Sequence, residues 1–336
     1  MTMSLICPRV LLVGCGNIAG RFDMVRLSDD WPVTQAGAFR RHGGFELAAC
    51  IDPHDDIREE FANYWQIHRH AAGFESLQSQ VGEFDVISLC SPTALHHVHL
   101  EAALRLSPKL IFCEKPLTQS SALSREWVQA CASQGVHLVV NYSRQWDPSV
   151  CSLVEEIRLG AWGQVRSVAG FYNKGVLNNG GHLIDLLLRV LGPMRVVAAT
   201  SPVDDHWDND PTVAALLVSE GDQVPVTLNP AHAKDYALFE VELVCEHGVI
   251  RMRNGGLKWE VRRTEVSPHF KGYRSLADAQ SSEGMYMQAM TIAVTEIHDF
   301  LSQGRAIRSM GDSALAVQLI CDQLLAAALA SATLTV

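Results

Sequence analysis

Short, almost wholly apolar runs alternate along the first part of the chain with stretches whose apolar positions recur at helical spacing. Arg9–Val13, 45–51, 84–90, Leu110–Cys113 and 136–141 are such runs. A continuous apolar run bounded by turn residues reads as a strand buried on both faces. Strands separated by helical patterns build βαβ units, and those build a parallel sheet. The third run is followed by the turn Ser91-Pro92-Thr93 and a helix predicted over 94–106. Near Trp146-Asp147-Pro148 the rhythm changes. A helix over 149–159, closed by Gly160, precedes β-type segments at 165–171, 212–219, 224–228, 238–245, 249–252 and 257–263. Short connections between such segments predict a mostly antiparallel sheet. Two helical stretches, 286–303 and 313–331, finish the chain; Ala314, Val317, Leu319 and Ile320 mark the apolar face of the last, and Asp312 is its candidate cap. The expectation is an α/β chain. A doubly wound parallel sheet spans 1–147, and an α+β domain with an open, mostly antiparallel sheet spans 148–336, its last helix packing back on the first domain.

The first run leads directly into Gly14-Cys15-Gly16-Asn17-Ile18-Ala19, a G-x-G-x-x-A pattern between a strand and a helix. In a Rossmann unit the first glycine makes the tight turn and the second lets backbone approach a pyrophosphate, while the small third residue lets helix pack on strand. The phosphate charge rests against the free N–H groups of the helix. Asp52 closes the second run, where a carboxylate accepts from ribose hydroxyls and repels a 2′-phosphate; this favours NAD over NADP. The span from Gly14 to Asp52 is longer than the roughly 20 residues that usually follow the fingerprint. The excess is assigned to an insertion at about 21–33, where Asp29-Asp30-Trp31-Pro32 cannot continue a helix. It either covers the cofactor, shapes a substrate pocket, or is an ordinary surface loop. Ser91, Pro92 and Thr93 fall at a strand's carboxyl end, under the nicotinamide half. His96, His97 and His99 have no suitable third ligand nearby, so His96 reads as lining the cofactor pocket and no metal site is expected.

Composition narrows the class. At 336 residues the chain suggests two domains, and 48% apolar residues supply substantial cores. A net charge of −10 argues against bulk nucleic-acid binding. No run reaches the roughly 18 apolar residues of a membrane helix, and the N-terminus lacks a charged-then-apolar secretory pattern. The nine cysteines form no CxxC pair, and Cys50, Cys90 and Cys113 lie in strand contexts. They read as reduced small hydrophobes, so a cytoplasmic location is expected.

Two further motifs carry chemistry. Phe112-Cys113-Glu114-Lys115-Pro116-Leu117 places Lys115 at a strand's carboxyl end, where ligands bind in open α/β sheets. A lysine there can donate or accept a proton at a substrate hydroxyl. Asn178-Asn-Gly-Gly-His182-Leu-Ile-Asp185 opens a second candidate: His182 and Asp185 share a helix face, and His182 is read in or near the first turn. The positive helix end disfavours imidazolium there, leaving the neutral ring that a general base requires. Arg144, Trp146, Tyr172, Asn173 and Lys174 are softer pocket candidates, each with an ordinary packing alternative. The acidic stretch 204–210 reads as a solvated loop.

In order and spacing, GCGNIA, Asp52, CSPTALH, CEKP, NNGGHLID and the terminal SMGDSALAV resemble the Gfo/Idh/MocA family of nicotinamide-dependent oxidoreductases. The resemblance implies a Rossmann domain beside an α+β domain, and hydride transfer at a carbinol or carbonyl carbon of a sugar, nucleotide-sugar or cyclitol. It also implies a homodimer or homotetramer through the C-terminal sheet. Carried onto this sequence, Lys115 is the lysine near the reacting hydroxyl and His182 the acid/base histidine. Gly14, Gly16, Asn17, Ile18, Asp52, Ser91, Pro92, Thr93, His96, Glu114 and Lys115 form the cofactor set. Asn178, Asp185, Arg144, Trp146, Tyr172 and Lys174 form the substrate set. Many members carry an aspartate where this chain has Asn178, and an amide neither takes nor releases a proton at neutral pH. That departure supports an alternative, a dinucleotide-binding regulatory or scaffold protein with impaired catalysis.

Overall fold

The computed structural model describes residues 7–27 and 29–333. They form two compact units, one running to Trp146 and taken up again over Met287–Leu315, the other formed by Asp147–Tyr286 with the chain from Ala316 onward. The first unit therefore includes a helix from the far end of the sequence.

The first unit is built on β1 (Arg9–Val13), α1 (Gln35–His42), β2 (Glu46–Ile51), α2 (Asp55–Trp65), β3 (His70–Ala71), β4 (Val86–Leu89), α3 (His96–Arg105), β5 (Leu110–Cys113), α4 (Ser121–Ser133) and β6 (His137–Val140). The strands lie in the order β3-β2-β1-β4-β5-β6, and every pairing is parallel. Strands β4 and β5 are buried at every position, which is why their sequences show no alternation. Local signals set the helix ends. Thr34 Oγ1 accepts from Gly37 N at 3.1 Å to start α1, basic residues Arg40, Arg41 and His42 fill its last turn, and Gly43 stops it at φ 72°. The far edge of β6 is covered, because Val140 N donates to Ser309 O at 2.8 Å and Val139 bridges Met310.

The helix that follows Gly16 is short: Asn17–Arg21 and Phe22–Met24 are helical, and the chain leaves at Val25. Its packing contact is Gly20, where an added Cβ would meet the Trp65 and Phe61 side chains at 2.4 and 2.6 Å. The inserted segment folds back on its own unit. The buried Asp23 carboxylate accepts from Val33 N and Thr34 N and from Thr34 Oγ1, and the Arg41 guanidinium lies 4.4 Å over the Trp31 ring.

The second unit comprises α5 (Pro148–Arg158), β7 (Val165–Tyr172), α6 (Gly181–Leu191), β8 (Met194–Ala199), β9 (Val203–Trp207), β10 (Asp210–Thr212), β11 (Ala215–Ser219), β12 (Pro225–Pro230), β13 (Phe239–Cys245), β14 (Gly248–Arg253), β15 (Lys258–Val266), β16 (Arg274–Leu276) and β17 (Gln280–Glu283). The large sheet runs β16-β15-β14-β13-β7-β12-β11-β8, with β17 pairing β15. It is antiparallel except for β7 and β12, which run parallel. Two expectations change. The segment expected as one strand over 212–219 is divided between β10 and β11, which belong to different sheets. The stretch expected as a solvated loop over 204–210 is the β9–β10 hairpin, with Asp205 and Asp210 buried.

Two helices follow, α7 (Ala289–Gln303) and α8 (Gly311–Thr333). Contrary to the sequence expectation, Gly311–Ala332 is long and apolar enough to cross a bilayer by length and composition alone. In the folded chain Ala314, Val317, Ile320, Cys321, Leu324 and Ala328 are buried at helical spacing, the pattern of a helix packed into a protein core.

Candidate active site

The glycine loop is shaped from both sides. Gly14 has φ 90°, and a Cβ there would lie 2.9 Å from both Cys90 C and Ser91 N, so only glycine fits where β1 turns past the end of β4. At Gly16 a Cβ would meet nothing within 4 Å. That open space lies at the start of a helix whose first N–H groups have no acceptor within the helix, a cradle for a diphosphate. Asn17 is exposed and Ile18 half-buried beside it. Asp52 Oδ2 accepts from Cys15 N at 2.9 Å, and Oδ1 accepts from His54 N at 2.9 Å, which fixes the carboxylate at the end of β2. Arg58 stands behind it with one donor of each guanidinium nitrogen committed, to Asp52 O, Asp55 and His70. The loop, the helix start and the carboxylate together fit a dinucleotide. The thiols beneath are inert. A hydrogen bond with Cys50, then burial, pushes the Cys15 thiol up, and burial with the nearby Glu114 charge does the same at Cys90 and Cys113.

On the other side of β1, Pro92 is exposed and Thr93 half-buried, while Ser91 is held by two histidines. His99 Nδ1 lies 2.8 Å from Ser91 Oγ, and His96 Nε2 lies 2.9 Å from Ser91 O. Burial, then His96 and His97, pushes His99 below the usual imidazole range, which favours its neutral ring. His96 corrects the sequence reading. It is fully buried and its Nδ1 faces Pro116 O and Leu117 O, each at 3.1 Å, so it ties the Ser91 turn to the segment after β5 from behind. It offers a ligand no surface.

Glu114 and Lys115 follow β5 directly. Glu114 is buried and its N donates to Leu89 O at 2.9 Å; Lys115 is half-buried and precedes a cis peptide bond to Pro116. Gln35 Nε2 and Asn141 Nδ2 both donate to Glu114 Oε1 at 2.7 Å, and Ser88 Oγ donates to Gln35 Oε1 at 2.5 Å. Sequence reading missed Gln35 and Asn141, which no motif marks. Residues 141–147, Arg144 included, are all buried. Trp146 is fully buried with its ring edge-on to Phe112, centroids 6.1 Å apart, so it is a packing residue rather than the substrate contact expected.

In the second unit, His182 and Asp185 lie near the start of α6, half-buried and buried respectively. The sequence put His182 in or near the first turn, but a wide helical turn over Gly175–Gly180 precedes α6 without a break, and Asn178 is half-buried within it. The free N–H end of that turn is occupied by a carboxylate. Asp210 Oδ1 accepts from Leu177 N at 2.8 Å and Oδ2 from Asn178 N at 2.9 Å. The helix-end argument for a neutral His182 therefore does not apply, because the positive end lies further back and is already compensated. Gly175, at φ 90°, makes room for Asp210: an added Cβ would sit 2.1 Å from its Oδ2. Asp205 performs a matching task. Burial alone would push its carboxyl up, but the N–H groups of Ala233 and Lys174, the Thr212 hydroxyl and nearby His232 outweigh burial and hold it below the usual range. Lys174 is half-buried at φ 65°, its N donating to Asp205. Tyr172 is not available to a substrate. It is fully buried, with its hydroxyl donating to Val213 O at 2.8 Å and accepting from Val213 N at 3.0 Å. Asn173 is likewise spent on Tyr236 O and Leu238 N.

Residues 8–142 match the model of an oxidoreductase family with an NAD-binding Rossmann fold. The first unit is thus similar to the nucleotide-binding domain of the Gfo/Idh/MocA oxidoreductases. A D-apiose dehydrogenase from Paraburkholderia graminis is 26% identical to this chain over 204 residues, which cover 54% of this chain and 53% of the relative. The aligned part thus spans about half the length of that relative. Among solved structures, a levoglucosan dehydrogenase in complex with NADH and levoglucosan superposes with a TM-score of 0.76 at 16% identity, covering 96% of this chain and 98% of the other. A 3-ketoreductase from Actinomadura kijaniata in complex with NADP does so with a TM-score of 0.72 at 17% identity, covering 95% and 97%. At these identities the structures establish the shared fold across nearly the whole chain.

Proposed function

We propose that the protein is a dehydrogenase or reductase acting on a CH–OH group of a sugar, nucleotide-sugar or cyclitol, with a nicotinamide dinucleotide as hydride acceptor or donor. The observation that carries this reading is the placement of Lys115 one residue beyond Glu114 at the carboxyl end of β5, in the same unit as the open cradle at Gly16 and the fixed carboxylate of Asp52. The names of the relatives, which act on sugars, support the substrate class.

When bound, the nicotinamide supplies the hydride chemistry. The chain supplies the rest. Oxidising a carbinol removes a hydride from carbon and a proton from oxygen. Lys115 hydrogen-bonds that oxygen and stabilises charge developing on it, and His182 takes the proton. Asn178, unable to exchange a proton, orients His182 or a neighbouring hydroxyl.

Asp52 supports NAD as the preferred form, since a fixed carboxylate repels a 2′-phosphate. The nine free thiols suit a reducing compartment such as the cytoplasm. Self-association through the large sheet completes the reading.

The test is turnover of NAD+ and NADP+ with a panel of polyols, glycosides and cyclitols, on wild type, Lys115→Ala and His182→Ala. Each variant is expected to lose about 10²–10⁴-fold in kcat while still binding NADH. Near-normal rates in both variants would overturn the roles. No reduction of either cofactor with any substrate class would overturn the activity.

A further inference from the structure

We infer that Gln35 and Asn141 are positioning residues whose side-chain amides hold Glu114 so that its second carboxylate oxygen serves the nicotinamide half of a bound dinucleotide. The inference rests on the dinucleotide-binding reading proposed above and extends it to residues that no motif marks.

Two positions far apart in sequence converge on one carboxylate, and a third braces one of them. Gln35 opens α1, Ser88 lies within β4, and Asn141 follows β6. Gln35 and Ser88 are fully buried and Asn141 is 4% exposed, so none of them offers a ligand a surface of its own. Both amides donate to Oε1 of Glu114 at 2.7 Å, and Ser88 fixes the Gln35 amide from the other side at 2.5 Å. The amide N–H donors on Glu114 are paired as buried polar groups require, while among the described residues Asn141 Oδ1 is buried without a hydrogen-bond partner. The two donors are neutral, so they orient the carboxylate without cancelling its charge. Among the described residues Oε2 receives no hydrogen bond, and it is the oxygen left to accept from outside.

The sheet order says what it meets. In a doubly wound sheet the ligand crosses the carboxyl ends at the switch point, here between β1 and β4. Asp52, at the end of β2, takes the adenosine side. Glu114 follows β5, whose Cys113 is in register with Leu89 of β4, and so belongs to the other half. An anionic acceptor there suits the N–H donors of a carboxamide and the O–H donors of a ribose. The insertion also gains a role, because Asp23 pins Thr34 and Thr34 caps α1, which fixes the residue from which Gln35 reaches inward.

Two ligands separate positioning from packing. NADH carries both halves, whereas ADP keeps the contacts to Asp52 and the glycine loop and lacks both the nicotinamide and its ribose. Both are titrated by calorimetry against wild type, Gln35→Leu, Asn141→Leu and Glu114→Gln. The expected result is NADH binding weakened about tenfold in each variant, the scale of one hydrogen bond to a charged group, with ADP binding unchanged. Unchanged NADH binding in both leucine variants would overturn the inference, as would parallel loss of both ligands, which marks an effect on the fold. Should the leucine variants not fold, Glu114→Gln keeps the shape of the site and carries the same two outcomes. A wild type that binds neither ligand would instead overturn the dinucleotide reading itself.

Discussion

Gly14 and Gly16 stand in one motif, yet different physics requires each. At Gly14 the positive φ and the backbone of Cys90 and Ser91 at 2.9 Å exclude any side chain. Gly14→Ala is therefore expected to cost about 1–3 kcal/mol of stability, visible as a lowered melting temperature. Gly16 has φ −80° and open space around its missing Cβ. Gly16→Val is expected to keep the wild-type melting temperature and to weaken NADH binding at least about tenfold, as a side chain enters the space for the diphosphate. Retained affinity in Gly16→Val would show that the cradle is elsewhere. The motif made both glycines legible in the sequence but not which of them the fold needs. The same limit explains His96, Tyr172 and Trp146. Each has a side chain able to touch a ligand, yet each is fully buried with other work. Residue type states what a group can do, whereas burial decides what it faces.

The elements show where pattern reading reaches and where it stops. Strands β1, β2, β4, β5 and β6 were legible because burial on both faces leaves continuous apolar runs. The β9–β10 hairpin was not, because its buried positions are aspartates. Asp205 and Asp210 are buried to satisfy backbone N–H groups, those of Lys174, Leu177, Asn178 and Ala233, most of them some thirty residues away in sequence. No local period encodes such a partner. The Gly175–Gly180 turn that carries Asn178 and leads to His182 thus depends on a carboxylate that the sequence presents as surface. Asp210→Ala is expected to remove this cap at about 1–2 kcal/mol. Because the turn and the NADH cradle are in different units, kcat is expected to fall while NADH affinity stays within about twofold of wild type. Steady-state kinetics beside an NADH titration checks this, and an unchanged kcat would detach the turn from catalysis.

At the scale of the whole molecule, strand order was the part that needed coordinates, since local patterns give the strands but not their neighbours. In the large sheet that order has a consequence for association. On one face Glu242, Arg251 and Glu260 stand opposite one another on β13, β14 and β15, with Glu240 paired to Arg253 alongside. The same face continues across Ala169, Thr227 and Leu216, with Phe171 next to Ala169 along β7; Phe171 and Leu216 are each 37% exposed. The charges pair within the sheet, and the apolar strip beside them is the part of this face that meets itself under a two-fold axis. A dimer formed this way buries Phe171, and a charge placed there would be desolvated without a partner. Phe171→Asp is therefore expected to shift the protein from dimer or tetramer to monomer in sedimentation velocity at micromolar concentration. NADH binding is expected to persist, because the cradle is built wholly within the first unit. A wild type that sediments as a monomer, or a variant that keeps the wild-type assembly, would remove this face from the interface.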